Sequence, residues 1–322
     1  MAGSIQISSA QGAVGRMSVG SNIVAYYDLK NAPITFDFCH YIAAASAYAR
    51  LNNQPTFDLV VIADGYRNIT PREQSYTLAD RRWRLWNLIV EVAKVVPQIG
   101  SISVLNKPPD LLAANTYPPT YRPPDNTEIP YNTISVRNFF DLGLEVRIFR
   151  PSEYAVRSVA RMLPQGEGRI VTITLRKAGY DSARDSKLEE WYEFSRLLKD
   201  KGFRPVIIPD QDDVLADRSI SRFDWYVIEP AAMSADLRLA LYHRASMNYV
   251  TNNGIIGLLM YSTAPFAWFS VIVDGAPLAS PRYYKAQAMN VGDKYPWFGE
   301  HQHMFWERET LENLADSIRL IP

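Results

Sequence analysis

Two basic residues follow a run of β-branched residues in the second half of this 322-residue chain. Arg176 and Lys177 come directly after the run Ile170–Leu175, and an amphipathic segment with helical spacing follows them. In an open parallel sheet, the strand ends and the neighbouring helix N-termini form the crevice in which phosphorylated ligands bind. A planar guanidinium and a compact ammonium group at that place can neutralise a diphosphate. The pair therefore predicts a phosphate-binding site.

Further residues that can bind a nucleotide lie in the same loop or where other strands of this half are predicted to end. They are Asp181, Arg184, Asp210, Asn252, Asn253 and Gly254. Asp210 can accept hydrogen bonds from a ribose hydroxyl or a base edge, and backbone N–H groups at a helix start can donate to a phosphate. The structural alternative is that Arg176 and Asp181 form a surface ion pair and that Asn252 caps the helix.

The elements around these residues alternate between strand and helix, which predicts an α/β architecture with parallel sheets. The unit Arg169–Asp210 has a strand, the polar loop, a helix that starts with Ser186 and Glu189 as a capping box, and a second strand. The other predicted strands are Asn22–Asp28, Asp58–Ala63, Ser101–Leu105, Glu145–Phe149, Trp225–Ile228, Asn248–Thr251 and Phe266–Phe269. The other predicted helices are Phe36–Leu51, Leu78–Val96, Ser152–Leu163, Ser234–Arg244, Ile255–Tyr261 and Glu307–Leu320.

The length of the chain favours two domains. Residues 1–20 are rich in glycine, serine and alanine and predict a flexible N-terminal arm. Residues 21–155 predict a first Rossmann-like domain and residues 156–306 a second, followed by a closing helix over residues 307–322.

A proline-rich segment, residues 106–132, interrupts the first domain. A connection of this length is typical either of a functional flap or of a strap across the domain surface. In the second case Tyr117 and Tyr121 would pack on the domain.

Composition narrows the classes of partner. Basic and acidic residues balance at 34 each, so no global field attracts nucleic acid or an acidic membrane surface, and phosphate recognition must be local. The single cysteine, Cys39, excludes an intramolecular disulfide and a thiolate metal cluster, which favours a reducing compartment. We find no signal-peptide h-region and no continuous apolar stretch of about 18 residues, so we expect a cytoplasmic protein without a transmembrane segment.

Other motifs are incomplete or absent. His301 and His303 have a spacing that suits two metal ligands on a strand, but no acid-rich or cysteine pattern completes a set, so we predict an ordinary loop and no metal site. The sequence contains no G-x-S-x-G elbow, no G-x-G-x-x-G and no G-x-x-x-x-G-K-[ST] motif. This argues against an α/β-hydrolase, a dinucleotide-dependent dehydrogenase and a P-loop NTPase, and no cofactor is expected.

Three motifs in the second half, TLRKAGYD, VIIPD and VTNNGIIGLLMYSTAPFAWF, resemble in their order the nucleotide-binding half of GT-B glycosyltransferases. They look most similar to the fucosyltransferase-like branch, which has an arginine after the first strand to hold the sugar-nucleotide diphosphate. Arg176 has that position, whereas Thr174 stands where the branch commonly has a histidine. The resemblance implies two Rossmann-like domains that face each other across a cleft. It also implies that the segment from Gln302 through the last helix returns to the first domain.

The resemblance implies a glycosyltransferase that moves a sugar from a nucleotide diphosphate donor to an acceptor hydroxyl. The second domain would bind the nucleotide sugar, and Arg176, Lys177 and the helix start at Asn253 would stabilise the leaving diphosphate without a metal. Two alternatives remain open. One is a sugar-nucleotide epimerase or hydrolase of the same fold, and the other is a non-catalytic binding or assembly protein.

The resemblance also implies that the first domain binds the acceptor and supplies a base. Asp37 and His40 lie three residues apart near a predicted helix start, so they share a face. Either can deprotonate a hydroxyl, His40 with the more suitable ordinary pKa and Asp37 as its orienting partner. The structural alternative has Asp37 as a helix cap and His40 as a packed residue. Asp64 and Arg67 are second candidates.

Overall fold

The computed structural model describes residues 4–6, 22–63, 65, 71–123, 128–178, 181–211 and 213–322. The chain divides into two compact units, Met1–Ile148 and Phe149–Pro322. Each unit is built around one five-stranded sheet in which the strand pairs are parallel. The predicted α/β class with two Rossmann-like domains is therefore confirmed. Within the described residues, helices with the length and apolar character needed to span a membrane are absent.

The first sheet has the strand order β1-β4-β3-β2-β5. Its strands are β1 Ser4–Gln6, β2 Ile23–Asp28, β3 Phe57–Ile62, β4 Ile99–Leu105 and β5 Thr116–Tyr117. Strand β2 is buried along its whole length, as expected for a central strand covered on both faces. Strand β1 lies in the segment predicted to be an arm, while residues 1–3 and 7–20 of that segment lie outside the described residues.

The helices of the first unit are α1 Phe38–Leu51, α2 Leu78–Arg84, α3 Glu91–Lys94 and α4 Thr133–Asp141. Helix α1 buries its alanine-rich face, as its small side chains predict. The predicted helix Leu78–Val96 begins with a capping box between Thr77 and Asp80 and changes to π-helical geometry over Leu85–Val90 before α3.

Two tyrosines of the proline-rich segment pack on their domain, as the strap interpretation predicts. Tyr117 and Tyr121 are buried, and the ring of Tyr121 stacks on Tyr26 with centroids 4.8 Å apart. The Tyr121 hydroxyl donates to Asp28 Oδ2 at 2.9 Å, and the Tyr41 hydroxyl donates to the carbonyl of Tyr117 at 3.2 Å. The segment also supplies β5, which the sequence pattern did not predict.

The predicted strand Glu145–Phe149 is wrong. The backbone N–H of Arg147 donates to Glu145 Oε1 at 2.8 Å, so the nearby side chain takes the donor that a strand would place in a ladder. The same carboxylate forms an ion pair with the Arg147 guanidinium.

The second sheet has the strand order β10-β9-β8-β6-β7. Its strands are β6 Arg169–Thr174, β7 Phe203–Ile208, β8 Met247–Val250, β9 Phe266–Trp268 and β10 Gln302–Met304. The predicted strand Trp225–Ile228 is reduced to one bridge between Val227 and Ile207. Strand β10 replaces the loop predicted at His301–His303, because it pairs with β9 at the sheet edge.

The helices of the second unit are α5 Glu153–Met162, α6 Leu188–Asp200, α7 Pro230–Met233, α8 Ala235–Arg244, α9 Ile256–Met260, α10 Pro281–Ala286 and α11 Leu311–Ser317. Helix α6 buries Trp191, Phe194 and Leu198 in the core, as its spacing predicts. Leu314 of α11 joins the same core. The prediction that the C-terminal segment returns to the first domain stays a prediction.

The predicted capping box at Ser186 and Glu189 is wrong. Helix α6 begins at Leu188, with Lys187 at the capping position and no side-chain cap. The Ser186 hydroxyl instead accepts a hydrogen bond from the backbone N–H of Arg176 at 2.8 Å. The serine thus fixes the loop before the helix instead of the helix end itself.

Candidate functional site

The predicted nucleotide-binding residues lie at one edge of the second sheet. Because the paired strands are parallel, their carboxyl ends meet at this edge. Strand β6 continues into Arg176, β7 into Asp210, β8 into Asn252 and β9 into Ser270. We call this group of loops the second-sheet edge.

Arg176 is buried inside the loop that follows β6, with 3% of its side chain exposed. Its Nη1 atom contacts the Asp185 carboxylate and donates to the carbonyl of Asp181 at 3.0 Å. The backbone N–H of Ala178 donates to the same Asp185 oxygen at 3.1 Å. The surface ion pair expected between Arg176 and Asp181 is therefore wrong, because Asp185 is the acid and Arg176 is buried. The role of Arg176 toward a diphosphate stays a prediction.

Arg184 joins the loop after β6 to the loop after β8. Its Nη2 atom donates to the carbonyl and to the Oδ1 atom of Asn252, both at 3.0 Å. Its Nη1 atom lies 3.5 Å from Asp181 Oδ2. Two buried atoms of this pair, Arg184 Nε and Asp181 Oδ2, have no hydrogen-bond partner among the described residues. The guanidinium therefore keeps one donor that an anionic ligand could use.

Lys177 and Asp210 meet at the same edge. The backbone N–H of Lys177 donates to Asp210 Oδ2 at 3.2 Å, and the lysine itself is exposed. Asp210 thus holds the start of the loop after β6.

The Asn252–Gly254 turn connects β8 to α9. Asn252 is buried and its Nδ2 atom donates to the carbonyl of Val271 at 2.9 Å, so its side chain ties β8 to the loop after β9. The alternative in which Asn252 caps a helix is wrong, because Ile255 holds the capping position of α9. Asn253 Oδ1 is buried without a hydrogen-bond partner among the described residues, and Gly254 is exposed.

Glu309 is a residue of this edge that the sequence pattern did not predict, and it is 1% exposed. Its Oε1 atom accepts a hydrogen bond from Thr251 Oγ1 at 3.4 Å, and its backbone N–H donates to Ser270 Oγ at 3.2 Å. Oε2 is buried with no partner in the described part of the chain. Burial raises the pKa of the Glu309 carboxyl above its ordinary value, against the lowering effect of nearby positive charge. No motif signals this residue, since it reaches the edge only through the tertiary fold.

Asp185 was also missed as a site residue, although the sequence held a signal for it. The loop reads RKAGYDSARDS, and its alternating charges indicate an internally paired loop. Thr174, which stands where the fucosyltransferase-like pattern has histidine, is buried and shares a 2.9 Å hydrogen bond with the Tyr242 hydroxyl. The Thr174 side chain therefore forms part of the buried core.

Asp37 and His40 interact at the start of α1 in the first unit. Asp37 holds the capping position but makes no side-chain cap, because its Oδ2 atom accepts a hydrogen bond from Thr35 Oγ1 at 2.7 Å. Burial lowers the pKa of His40 below its ordinary value, while the Asp37 charge acts in the opposite direction. The imidazole is therefore neutral at neutral pH and can accept a proton. The catalytic roles of both residues stay predictions, and Asp64 and Arg67 lie outside the described residues.

A buried acid holds the loop that precedes α1. Glu73 Oε1 accepts the backbone N–H of Ile34 at 2.8 Å, and Arg84 Nε donates to the Ile34 carbonyl at 2.9 Å. The loop that carries Asp37 is thus fixed at Ile34, whose N–H group donates one hydrogen bond and whose carbonyl accepts another.

No family model matches the chain, and no curated protein matches it. Solved structures do match. A glycosyl transferase family 9 protein from Veillonella parvula DSM 2008 is similar over 93% of this chain and 96% of its own, with 10% identity and a TM-score of 0.56. ADP-heptose LPS heptosyltransferase II of E. coli covers 93% and 98%, with 9% identity and a TM-score of 0.49. E. coli heptosyltransferase WaaC with ADP covers 92% and 98%, with 14% identity and a TM-score of 0.45.

The similarity to the family 9 structure concerns the fold, because the identity is low. It extends over nearly the whole of both chains, so the predicted GT-B type of fold is confirmed. The finer resemblance to the fucosyltransferase-like branch is not supported, because this structure is a family 9 protein.

Proposed function

We propose that this protein is a glycosyltransferase that moves a sugar from a nucleotide diphosphate donor to an acceptor hydroxyl. The fold is similar to that of a glycosyl transferase family 9 protein. Fold alone does not set function, so the proposal depends on the side chains at the second-sheet edge.

The observation that carries the proposal is the position of Arg184. Its guanidinium is largely buried, bridges two strand-end loops, and retains a buried Nε donor without a hydrogen-bond partner among the described residues. An unused donor on a buried cation is costly unless a ligand takes it. A phosphate oxygen is the acceptor that suits a guanidinium best.

Lys177 and Arg184 would share the charge of the leaving diphosphate in this proposal. A diphosphate that leaves a sugar gains negative charge in the transition state, so fixed positive groups stabilise that state more than the ground state. Arg176 stays a predicted diphosphate contact and would have a second part, because its contact with Asp185 is closer than that of Arg184 with Asp181. It holds the loop in the shape that presents Lys177 and Arg184.

His40 would accept the proton of the acceptor hydroxyl as the glycosidic bond forms. Its lowered pKa keeps the imidazole in the basic form at neutral pH, and Asp37 stabilises the imidazolium after proton transfer. The reaction balances without a further reactant. The acceptor oxygen bonds to the sugar, the diphosphate leaves, and the hydroxyl proton passes to His40.

Incubation with a panel of nucleotide diphosphate sugars, with and without a mixture of hydroxyl acceptors, tests the proposal. Release of nucleoside diphosphate that requires an acceptor is the expected result, followed by mass spectrometry of the glycosylated product. Acceptor-independent release would instead indicate a hydrolase, and isomerised sugar nucleotide would indicate an epimerase. An absence of turnover and of nucleotide binding would contradict the proposal and favour an assembly role.

A further inference from the structure

Tyr284 on α10 is a buried tyrosine that contacts the second-sheet edge. Only 2% of the residue is exposed, and its hydroxyl accepts a hydrogen bond from the Nδ2 atom of Asn252 at 3.4 Å. Asn252 belongs to the turn that follows β8. The contact therefore joins a helix that lies 32 residues further along the chain to the loops that carry the predicted nucleotide-binding residues.

The side-chain amide of Asn252 connects Tyr284 to Arg184. Its Nδ2 atom donates to the Tyr284 hydroxyl and to the carbonyl of Val271, the latter at 2.9 Å. Its Oδ1 atom accepts a hydrogen bond from Arg184 Nη2 at 3.0 Å. Because the amide group is planar and both of its hydrogens are used, the two acceptors fix the direction of Oδ1. The place of Oδ1 in turn sets the place of the guanidinium.

Aromatic rings hold Tyr284 in position. Its ring meets those of Trp306, Tyr283 and Trp268 edge to face, with centroids 5.1, 5.3 and 6.5 Å apart. This is a favoured arrangement of aromatic pairs. Trp306 is fixed as well, because its Nε1 atom donates to the carbonyl of Asp293 at 3.1 Å. The Tyr284 hydroxyl is therefore a fixed point against which the Asn252 amide is held.

The state of the hydroxyl suits this role. Burial raises the pKa of Tyr284 well above its ordinary value, while the nearby charge of Arg184 acts in the opposite direction. The hydroxyl is therefore neutral at physiological pH. Without it, one buried hydrogen of the Asn252 amide would lose its acceptor, which is costly, and the amide would turn toward another partner.

We propose that Tyr284 is a positioning residue for the leaving diphosphate. Through Asn252 it holds the Arg184 guanidinium, whose Nε atom has no hydrogen-bond partner among the described residues, in the place where that atom binds a phosphate oxygen. The inference rests on the proposed function, which assigns the diphosphate to Arg184. Tyr284 acts without touching the ligand.

Calorimetric titration of pyrophosphate, ADP, GDP, CDP and UDP into Tyr284→Phe tests this role. The variant keeps the ring and loses only the hydroxyl. It should weaken pyrophosphate and the tightest of the nucleoside diphosphates by roughly 3- to 10-fold, the effect of one neutral hydrogen bond.

Tyr249→Phe is the matched control, because it removes a hydroxyl in an equivalent setting. Tyr249 is also buried, and its hydroxyl also accepts a hydrogen bond at 3.4 Å, from Ser317 Oγ of α11. Chemical denaturation should show a similar loss of stability for both variants. Only Tyr284→Phe should weaken diphosphate binding, so a purely structural role would be recognised by equal affinities of the two variants.

The double variant of Tyr284→Phe with Arg184→Gln tests whether Tyr284 acts through the arginine. Coupled residues have non-additive effects, so Tyr284→Phe should change the affinity by less than about twofold in the Arg184→Gln background. A loss of affinity in that background as large as in the unaltered protein would overturn the inference. So would a Tyr284→Phe variant that binds every diphosphate as tightly as the unaltered protein.

The two proposals fail in different ways. If diphosphate binding depends on Tyr284 through Arg184 but no sugar is transferred, the positioning role stands and the glycosyltransferase proposal fails. If sugar transfer occurs and Tyr284→Phe has no effect on diphosphate affinity, the positioning role fails alone. Failure of pyrophosphate and of every nucleoside diphosphate to bind overturns both.

Discussion

The strand ends of the two sheets use their acids in different ways. At the first sheet, Asp28 ends β2 and accepts hydrogen bonds from the Tyr121 hydroxyl and the Lys30 backbone N–H, each at 2.9 Å, so it fixes loops of its own domain. At the second sheet, Asp185 and Asp181 contact the guanidinium groups of Arg176 and Arg184. The acid of the first edge fixes loops of its own domain, while the acids of the second edge hold the guanidinium groups of Arg176 and Arg184 in place.

In the proposed reaction the two edges would have different parts. Fixed cations would bind the diphosphate at the second-sheet edge, whose loops are connected by hydrogen bonds. A neutral base would deprotonate the acceptor hydroxyl in the first unit, where burial lowers the pKa of His40 on α1.

The largest expected effect is on catalysis by the first unit. His40→Gln should lower kcat by about 10²- to 10⁴-fold because the general base is lost, with nucleotide affinity unchanged. In the unaltered protein, kcat should fall on the acid side below pH 6.5, since burial lowers the pKa of His40 from that value. Steady-state kinetics across pH measures both.

His301→Gln is the matched control for this experiment, because His301 is exposed in the second unit. It should leave kcat and the pH profile unchanged. Full activity of the His40→Gln variant would show that His40 is not the base and would contradict the proposed division of roles between the two units.

The next largest effect is on the stability of the loop after β6. Arg176→Met leaves the largely covered Asp185 carboxylate without its buried cation, which should lower the free energy of unfolding by about 3 kcal/mol. Arg176→Met combined with Asp185→Asn should recover part of the loss. Chemical denaturation of the single and double variants gives the coupling energy.

The exposed pair Arg196 and Glu193 on α6 is the control for that cycle. Its coupling energy should stay within about 0.2–1 kcal/mol, the range of solvent-exposed ion pairs. Equal coupling energies for the two pairs would show that Arg176 does not brace the loop.

A smaller effect is expected at the strap of the first unit. Tyr121→Phe removes the hydroxyl that donates to Asp28 and leaves a buried carboxylate oxygen short of a donor, at a cost of about 1–3 kcal/mol. Tyr154→Phe, at a tyrosine that is 72% exposed, should have no such cost. Thermal unfolding of both variants measures the difference, and equal melting temperatures would contradict the rigid first edge.

The smallest effect concerns the buried acid at the second-sheet edge. The folded pKa of Glu309 is raised above 4.5, so the free energy of unfolding should fall as the pH rises from 4.5 through the folded pKa and then level off. Glu309→Gln lacks this titration. Over that pH range, the free energy of unfolding of the unaltered protein should therefore fall relative to that of Glu309→Gln. A difference between the two that does not change with pH would show that the pKa of the Glu309 carboxyl is not raised.

The sequence predicted the elements whose patterns are local. The spacing of apolar residues placed α6 and its buried face, and the small residues of α1 predicted its close packing. The ends of the buried strands could also be predicted. Because these strands are parallel, Arg176, Asp210 and Asn252 lie at one edge, as expected.

Contacts set by tertiary structure escaped prediction. The short strand β5 is held by the packing of Tyr117 on Tyr41 and Tyr48 of α1. Its two residues are too few to show an alternating strand pattern in the sequence. Ser186 had the sequence of a helix cap, but the N–H of Arg176 competes for its hydroxyl. Glu309 is distant in sequence from Thr251, its partner across the sheet edge, so local pattern could not join them.

In the proposed reaction, a diphosphate binds to the cations of the second-sheet edge. Calorimetric titration of a nucleoside diphosphate into Arg184→Gln, Arg196→Gln and the unaltered protein measures this binding. We expect Arg184→Gln to lose about 1.5–3 kcal/mol of binding free energy, the contribution of one hydrogen bond to a charged group, and Arg196→Gln to lose none. Equal affinity for Arg184→Gln and the unaltered protein would contradict the claim.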